Sequence, residues 1–534
     1  MLTVIVASLQ LLIGSVDNLL FGKAKKYMPT LQVPAVPQRA DTSMTARHPW
    51  WRALVLCLLL LLSVVTSFLL ISAAPQSDEH ITPFLQVWMV SFLPYFAACA
   101  FVLATKPVPG RWHWVEVSMI LSGALVLRAM LLPLLPSLSR DSWRYLWDAR
   151  ITLHGFSPYV YAPVDKVLRP LLDNVLFPNS RFRTVPTIYP PGAQGVFLLS
   201  YVLAPANLFF LKGIFLVFDM VTCIALVVLL GRKGFDQRRV ILYAWCPLPI
   251  VEFAIQGHVD VIALTFTLLA VLSASNTSMR GRILTGFFIG LAALIKIYPL
   301  LLLAAFPPML SGRNDGRIQT IGSLIRLEAP LVITCLATIM LGYLPYLIMG
   351  HGQVLGYFTT YASEQGQNAG VTQQVVHWLG DRMRMGLAST ITLEHIVDAL
   401  LVSAVSLIVF VMRLRNHIGI EAAVLVLYGV VLSISSHVFP WYTTTLLLWV
   451  PVFVGPLWTR VGLSGRSLAI IAVWYFTVTS LLGYFFNSDW TLYYRLVYTP
   501  VMIALGVAAI IGVLNRFRSQ KGIALASRPT NNEH

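Results

Sequence analysis

Residues 139–150 read Ser139-Arg140-Asp141-Ser142-Trp143-Arg144-Tyr145-Leu146-Trp147-Asp148-Ala149-Arg150. They open a polar, aromatic-rich island, 137–191, that closes on Thr187-Ile188-Tyr189-Pro190-Pro191. Outward from this island in both directions the chain is a succession of apolar runs. Of its 534 residues 57% are hydrophobic and 11% charged, with a mean hydropathy of +0.75. A soluble domain carries about 25% charged residues. Many of the apolar runs approach the ~20 residues that cross a bilayer as a helix, and the ~10-residue alternating segments of a membrane barrel are absent. The expected fold is all-α and polytopic, with the island as a loop at one membrane face.

A net charge of +16 would suit a nucleic-acid partner. The basic residues, however, sit in short loops between apolar spans, the distribution that the positive-inside rule produces. All five cysteines fall within apolar stretches, without metal-ligand or disulfide spacing. Residues 1–22 are apolar but lack a basic leader and a small-residue cleavage site. They read as an interfacial helix or an over-extended start, and 23–48 as a flexible tail, so that 1–50 forms a cytoplasmic N-terminal region.

About fourteen spans are expected between residues 51 and 515, among them 239–257, 299–312 and 441–457. The loops holding Lys106/Arg111, Arg232/Arg239, Arg280/Arg282, Arg413/Arg415 and Arg460/Arg466 are basic, and the alternate set is not. Both termini, including a tail over 516–534, are therefore expected inside. The outer side then carries two large loops, 137–207 and 350–388. Within the first, 192–207 is too short to span and is broken by Pro205, which predicts a re-entrant or surface-lying helix.

If 141–150 is helical, Asp141, Arg144, Tyr145 and Asp148 share one face, and Trp143, Trp147 and Arg150 another. The tryptophans would lie at headgroup level. Two readings of Asp141 stand side by side: a helix N-cap, or a general base that removes the proton of a sugar hydroxyl as a new bond forms. Cations nearby would stabilise a departing phosphate. Other polar residues come out at the same face: Glu252, His258, Asp260, Lys296 and the turn His437-Val438-Phe439-Pro440-Trp441-Tyr442. Each has a structural alternative. Lys296 could anchor to headgroups, His258 could cap a helix, Trp441 and Tyr442 could be belt residues, and the mid-span Asp219 could bond a neighbouring helix.

The series Arg140-Asp141-x-x-Arg144-Tyr145-x-Trp147-Asp148-x-Arg150, followed by Gly155-Phe156-Ser157-Pro158-Tyr159 and Ile188-Tyr189-Pro190-Pro191, resembles the first outer loop of bacterial GT-C glycosyltransferases. Later elements agree: Gly257-His258-x-Asp260, Lys296-Ile297-Tyr298-Pro299, Tyr361 to Gly370, and His437 to Tyr442. The likeness is to the polyprenyl-phosphate-mannose-dependent mannosyltransferases, including glycosyltransferase family 87, over roughly 114–460. Ala149 departs from the Asp-Gly-Arg that related loops carry. The resemblance implies an inverting transferase in the bacterial inner membrane. It would move a sugar, mannose in first place, from a polyprenyl-phosphate donor to a lipid or glycan acceptor at the extracytoplasmic face. Asp141 matches the base. Lys296, Arg144 and Arg150 are the candidates for the donor phosphate, and Tyr145, Asp148, Tyr189, His258, Asp260, Glu364 and His437 for sugar or acceptor. No metal or cofactor is required. The rival class is a secondary transporter or flippase of a lipid-linked sugar, which would bind near the midplane on two matching halves; no such repeat is evident.

Overall fold

The computed structural model describes residues 50–526 except 76–80, 277, 308–320, 365, 367, 460–461 and 488. The expected features of 1–49 lie outside the described residues. The main helices are α1 Trp50–Ser72, α2 Thr82–Ala104, α3 Arg111–Leu131, α4 Asp141–Leu153, α5 Pro191–Leu203, α6 Leu208–Arg232, α7 Asp260–Ala274, α8 Met279–Ile295, α9 Ile321–Met349, α10 Val371–Arg382, α11 Leu387–Leu414, α12 Ile420–Ile434, α13 Pro440–Leu447, α14 Gly465–Thr479 and α15 Thr499–Ala526. The one pairing of strands among the described residues is a small antiparallel hairpin, β1 Trp458–Thr459 with β2 Gly462–Leu463.

Eight helical segments among the described residues are long and apolar enough to cross a membrane, rather than fourteen: α1, α2, α3, α6, Glu328–Met349 of α9, α11, Gly465–Phe485 and Trp490–Asn515. Their outer faces suit lipid; Leu58, Leu61, Leu62 and Phe68 of α1 stay about half exposed. The chain is thus a multi-pass membrane protein. Six expected spans are short or broken, and in three of them proline explains the break. Residues 241–255 comprise a turn at Ile241–Ala244, another at Pro247–Pro249 and a π-helical stretch Ile250–Ile255. Proline supplies no N–H to the helical ladder. Past Pro299 the chain winds as a 3-10 helix, Tyr298–Ala305. Pro451 starts a separate turn, Val450–Phe453, after α13. At the C-terminus, α15 runs to Ala526 without a break at 516.

Buried polar pairs staple these pieces. Arg128 Nε meets Asp219 Oδ2 at 2.6 Å, and Tyr243 donates to Asp219 Oδ1 at 2.8 Å; Asp219 therefore ties α3, α6 and the broken segment together. At the far end of the same helices, Glu116 pairs with Arg52 at 3.1 Å and Arg238 at 2.6 Å. Arg239 donates to the Val454 carbonyl and Arg413 to that of Ala305. The helix α5 packs on α4 and touches α8. Gly192 makes that close approach, since a methyl there would stand 2.7 Å from Leu294 Cβ.

Candidate active site

Asp141 is the first residue of α4, preceded by Arg140 at the cap position, whose side chain makes no cap bond; Ser139 Oγ accepts the Asp141 N–H at 3.3 Å. The Asp141 carboxylate bonds the side chains of Tyr189 and Ser139. It also gains from the positive end of the helix dipole. Tyr189 OH donates to Asp141 Oδ2 at 3.3 Å, and Tyr145 OH donates to Tyr189 OH at 3.3 Å. Burial raises the Asp141 carboxyl above its usual range, against the opposing pull of Lys296 and Arg181 and the bond from Tyr189.

Asp141 faces a cavity of about 480 Å³. Arg140, Arg144, Arg181 and Tyr189 line it from the first loop, Tyr361 and Glu364 from the second. His437, Trp441 and Tyr442 form a third wall, and Tyr484 and Trp490 a fourth. The third wall is a ladder of rings. Alternate residues 437, 439 and 441 stack, with Phe439 and Trp441 4.5 Å apart and 2° from parallel. Trp441 stacks in turn on His258 at 3.7 Å and 13°. Stacked rings present their edges to the cavity and cover one another's faces. At the other end of the ladder, His437 Nδ1 lies 3.1 Å from Asn368 Oδ1 and Nε2 3.3 Å from Glu364 Oε2. Burial lowers the His437 imidazolium, against the opposing effect of Glu364.

Behind the cavity wall, Lys296 follows the last residue of α8. Its Nζ lies 3.3 Å from Asp260 Oδ1. It also sits over the rings of Tyr189, at 5.3 Å, and Tyr442, at 4.9 Å. A cation suits the negative end of a helix, and two ring faces add to its hold. Its side chain is 13% exposed and Asp260 1%. The ammonium is thus inside the protein rather than among headgroups, and its first partner is Asp260.

The segment 256–258 is bolted to the entrance of α4. Gln256 Oε1 accepts from the backbone N–H of Ser137, Leu138 and Ser139 at 3.0–3.3 Å. Lys212 Nζ donates to the carbonyls of Leu132, Leu134 and Ile255. Gly257 takes φ +72°, and a methyl there would meet Lys212 Cγ at 3.0 Å and Ser142 Cβ at 3.2 Å. The result brings His258 Nδ1 to 3.9 Å from Asp141 Oδ2.

Other expected site residues are not in the cavity. Asp148 is fully buried, held by Arg144 at 2.7 Å and by Gln194 Nε2 at 3.2 Å. Arg144 reaches the cavity wall, but its remaining donors go to the carbonyls of Arg181, Phe182 and Val185. Arg150 pairs with Asp173 at 2.7 Å and with Tyr201 and the Leu171 carbonyl; it lies away from Asp141, on the other side of α4. Burial would raise the Asp173 carboxyl, but backbone N–H groups and Arg150 outweigh it and hold it low. Trp147 is fully buried and packs on Phe177 at 5.4 Å, not at a membrane surface. Trp378 of the second loop is 59% exposed, outside the cavity.

Sequence reasoning missed Arg181, Tyr484 and Gln256. Arg181 had a signal in the Arg181-Phe182-Arg183 cluster within an outer loop; Tyr484 and Gln256 had none, because each lies at the end of an apolar run. Phe182 has φ +53°, a conformation that a bulky residue rarely adopts. The three carbonyls that Arg144 holds around it supply the constraint.

A family model described as Alpha-(1->6)-mannopyranosyltransferase, N-terminal domain, matches residues 55–311. A second, Glycosyltransferase family 87, matches residues 187–440. No curated protein matches the chain. The two matches overlap across the segment that carries Tyr189, His258, Asp260 and Lys296, and together they take in Asp141 and His437. With many apolar helices around one polar cavity, the chain is a membrane glycosyltransferase, similar to GT-C mannosyltransferases.

Proposed function

We propose that this enzyme moves a sugar, mannose in first place, from a polyprenyl-phosphate donor to a hydroxyl of a lipid or glycan acceptor, with inversion and at the extracytoplasmic face. Asp141 removes the acceptor proton, the acceptor oxygen attacks the anomeric carbon, and the bond to phosphate breaks. The observation that carries this reading is the aim of Asp141. It heads its helix, faces a cavity built from both outer loops, and takes a hydrogen bond from Tyr189.

For the donor phosphate the geometry favours Arg181, which is exposed and lines the cavity, over Arg144 and Arg150, whose guanidinium groups already serve the protein. A guanidinium offers paired N–H groups that match phosphate oxygens. Lys296 acts on Asp141 through space and neutralises Asp260. Tyr361, Glu364 and His437 are placed to meet sugar hydroxyls. We also infer fourteen crossings in the bacterial inner membrane, six of them short or broken, with both termini inside. The support is pairwise: Gln256 joins the loop after α3, while Arg238, Arg239 and Arg413 gather at the opposite ends of the same segments.

The test is purified protein in vesicles with labelled polyprenyl-phosphate mannose and extracted envelope lipids as acceptor. Asp141→Asn should lower transfer by about 10²–10⁴-fold, the usual worth of a positioned base, with yield and membrane insertion unchanged. Near-native turnover in that variant would remove Asp141 from the base role. Label that crosses the bilayer without entering a new product would favour a flippase.

A further inference from the structure

We propose that Glu252 is held as a neutral carboxylic acid and acts through His258 on Asp141, donating to His258 Nε2 so that the ring carries its proton on Nδ1, aimed at Asp141 Oδ2. This deepens the base assignment above and rests on it. Glu252 and His258 are both fully buried, behind the cavity wall rather than in it. His258 Nε2 stands 3.3 Å from Glu252 Oε2, and Nδ1 3.9 Å from Asp141 Oδ2. Neither ring nitrogen makes a hydrogen bond at these separations. Buried groups of this kind are rare without a role, and catalytic contacts commonly tighten in the complex with substrate.

A count of donors forces the protonation pattern. A neutral imidazole has one N–H and one bare nitrogen. As base, Asp141 is ionised and only accepts, so the proton facing it belongs on Nδ1. Nε2 is then an acceptor and needs a donor. Glu252 can donate only if protonated. Tyr484 OH stands 3.1 Å from Glu252 Oε1 and 3.4 Å from Oε2; with its hydrogen on the nearer Oε1, Oε2, the oxygen towards His258, is the one to carry the proton. The alternative, an imidazolium between two carboxylates, is opposed by burial and by the charge of Lys296, which lower the His258 imidazolium. Among the described residues no lysine or arginine forms an ion pair with Glu252, and a lone buried carboxylate is costly. A carboxylic acid kept neutral by an apolar setting so that it can donate is an established device.

The surroundings hold the ring still. Trp441 stacks on one face of His258, and the Gln256 and Lys212 bonds fix its backbone. The charged and titratable groups facing the pair are Asp141 from α4, Asp260 from α7, Lys296 after α8, and Tyr484. Arg181 also acts on Asp141 and Tyr484. An N–H directed at the ionised form of Asp141 favours that form. It lowers the pH at which the base becomes available and fixes the carboxylate for attack.

The pair Glu252→Gln and Glu252→Met tests this. The amide of Glu252→Gln keeps a donor for Nε2 and an acceptor for Tyr484, so kcat and the pH–rate profile should stay close to wild type. Glu252→Met keeps the volume and loses the donor. Its kcat should fall about tenfold, the worth of one hydrogen bond to a charged group, with donor KM unchanged and the acidic limb moved to higher pH. Equal impairment of both variants, or a wild-type profile in Glu252→Met, overturns the proposal. Nitrogen-15 NMR of labelled histidine in the full-length protein, assigned by loss of the signal in His258→Gln, gives a readout that does not depend on folding of the Glu252 variants. The expected tautomer is Nδ1–H; an imidazolium or an Nε2–H tautomer at neutral pH overturns it. Active Asp141→Asn would sink the base reading, whereas inactive Asp141→Asn beside a wild-type Glu252→Met profile would sink this inference alone.

Discussion

At the scale of single residues, a general base must keep its charge in a setting that penalises charge. On the proposed mechanism Asp141 meets this with a helix N-terminus, the Tyr189 hydroxyl, and the nearby charges of Lys296 and Arg181. Burial still leaves its carboxyl raised, and the base works only when deprotonated. Transfer should therefore fail as pH drops through that raised value. Lys296→Met removes a charge that lowers the Asp141 carboxyl, so the acidic limb should move to higher pH; initial rates against pH measure this. An unmoved limb would show that Lys296 does not act on Asp141. The sequence supplied His258 and Lys296 as candidates because ionisable groups are rare in apolar segments, Asp141 through its polar loop, and Tyr189 through the family resemblance. It had no means of pairing Lys296 with Asp260 rather than with phosphate. That pairing depends on where α8 ends relative to where α7 begins.

At the scale of elements, α4 is a short helix whose position matters more than its length. One end presents Asp141, and the middle is anchored by the Arg144–Asp148 pair, an i, i+4 contact buried on both sides. Arg144 also holds three carbonyls of 181–185, and through them the strained Phe182 and the exposed Arg181 at the cavity. Arg144→Ala would strand a buried carboxylate, a loss of about 3–5 kcal/mol, and release the 181–185 loop. A lower thermal midpoint in detergent together with a higher donor KM is expected; an unchanged donor KM would separate that loop from donor binding. The periodicity of 141–150 made the helix and the shared face of Arg144 and Asp148 legible. It could not tell which face meets solvent, so Trp147 read as a membrane-surface residue and is buried. Prolines 247, 249, 299 and 451 were visible in the sequence as breaks, but a hydropathy window averages over them.

At the scale of the molecule, residues far apart in sequence meet at one end of the helix array. The loops before α4, between α9 and α11, before α13 and after α14 all contribute to one cavity. On the proposed threading this end is extracytoplasmic. Cysteine placed at the exposed positions Leu172 and Arg415 tests it. Leu172→Cys should react with a membrane-impermeant maleimide in intact cells, and Arg415→Cys only after permeabilisation. The reverse pattern would put the cavity inside.

Composition and the spacing of charges were sufficient, by themselves, for an α-helical membrane protein with a catalytic-looking polar loop. Those properties follow from the cost of placing charge and unpaired backbone in hydrocarbon, which acts on each segment separately. Tertiary structure alone decided that Arg144 and Arg150 are tied to the protein, that Lys296 answers to Asp260, and that Glu252 and His258 stand behind Asp141. Each of these is a contact between segments, governed by how broken and whole helices pack, and no local pattern encodes it.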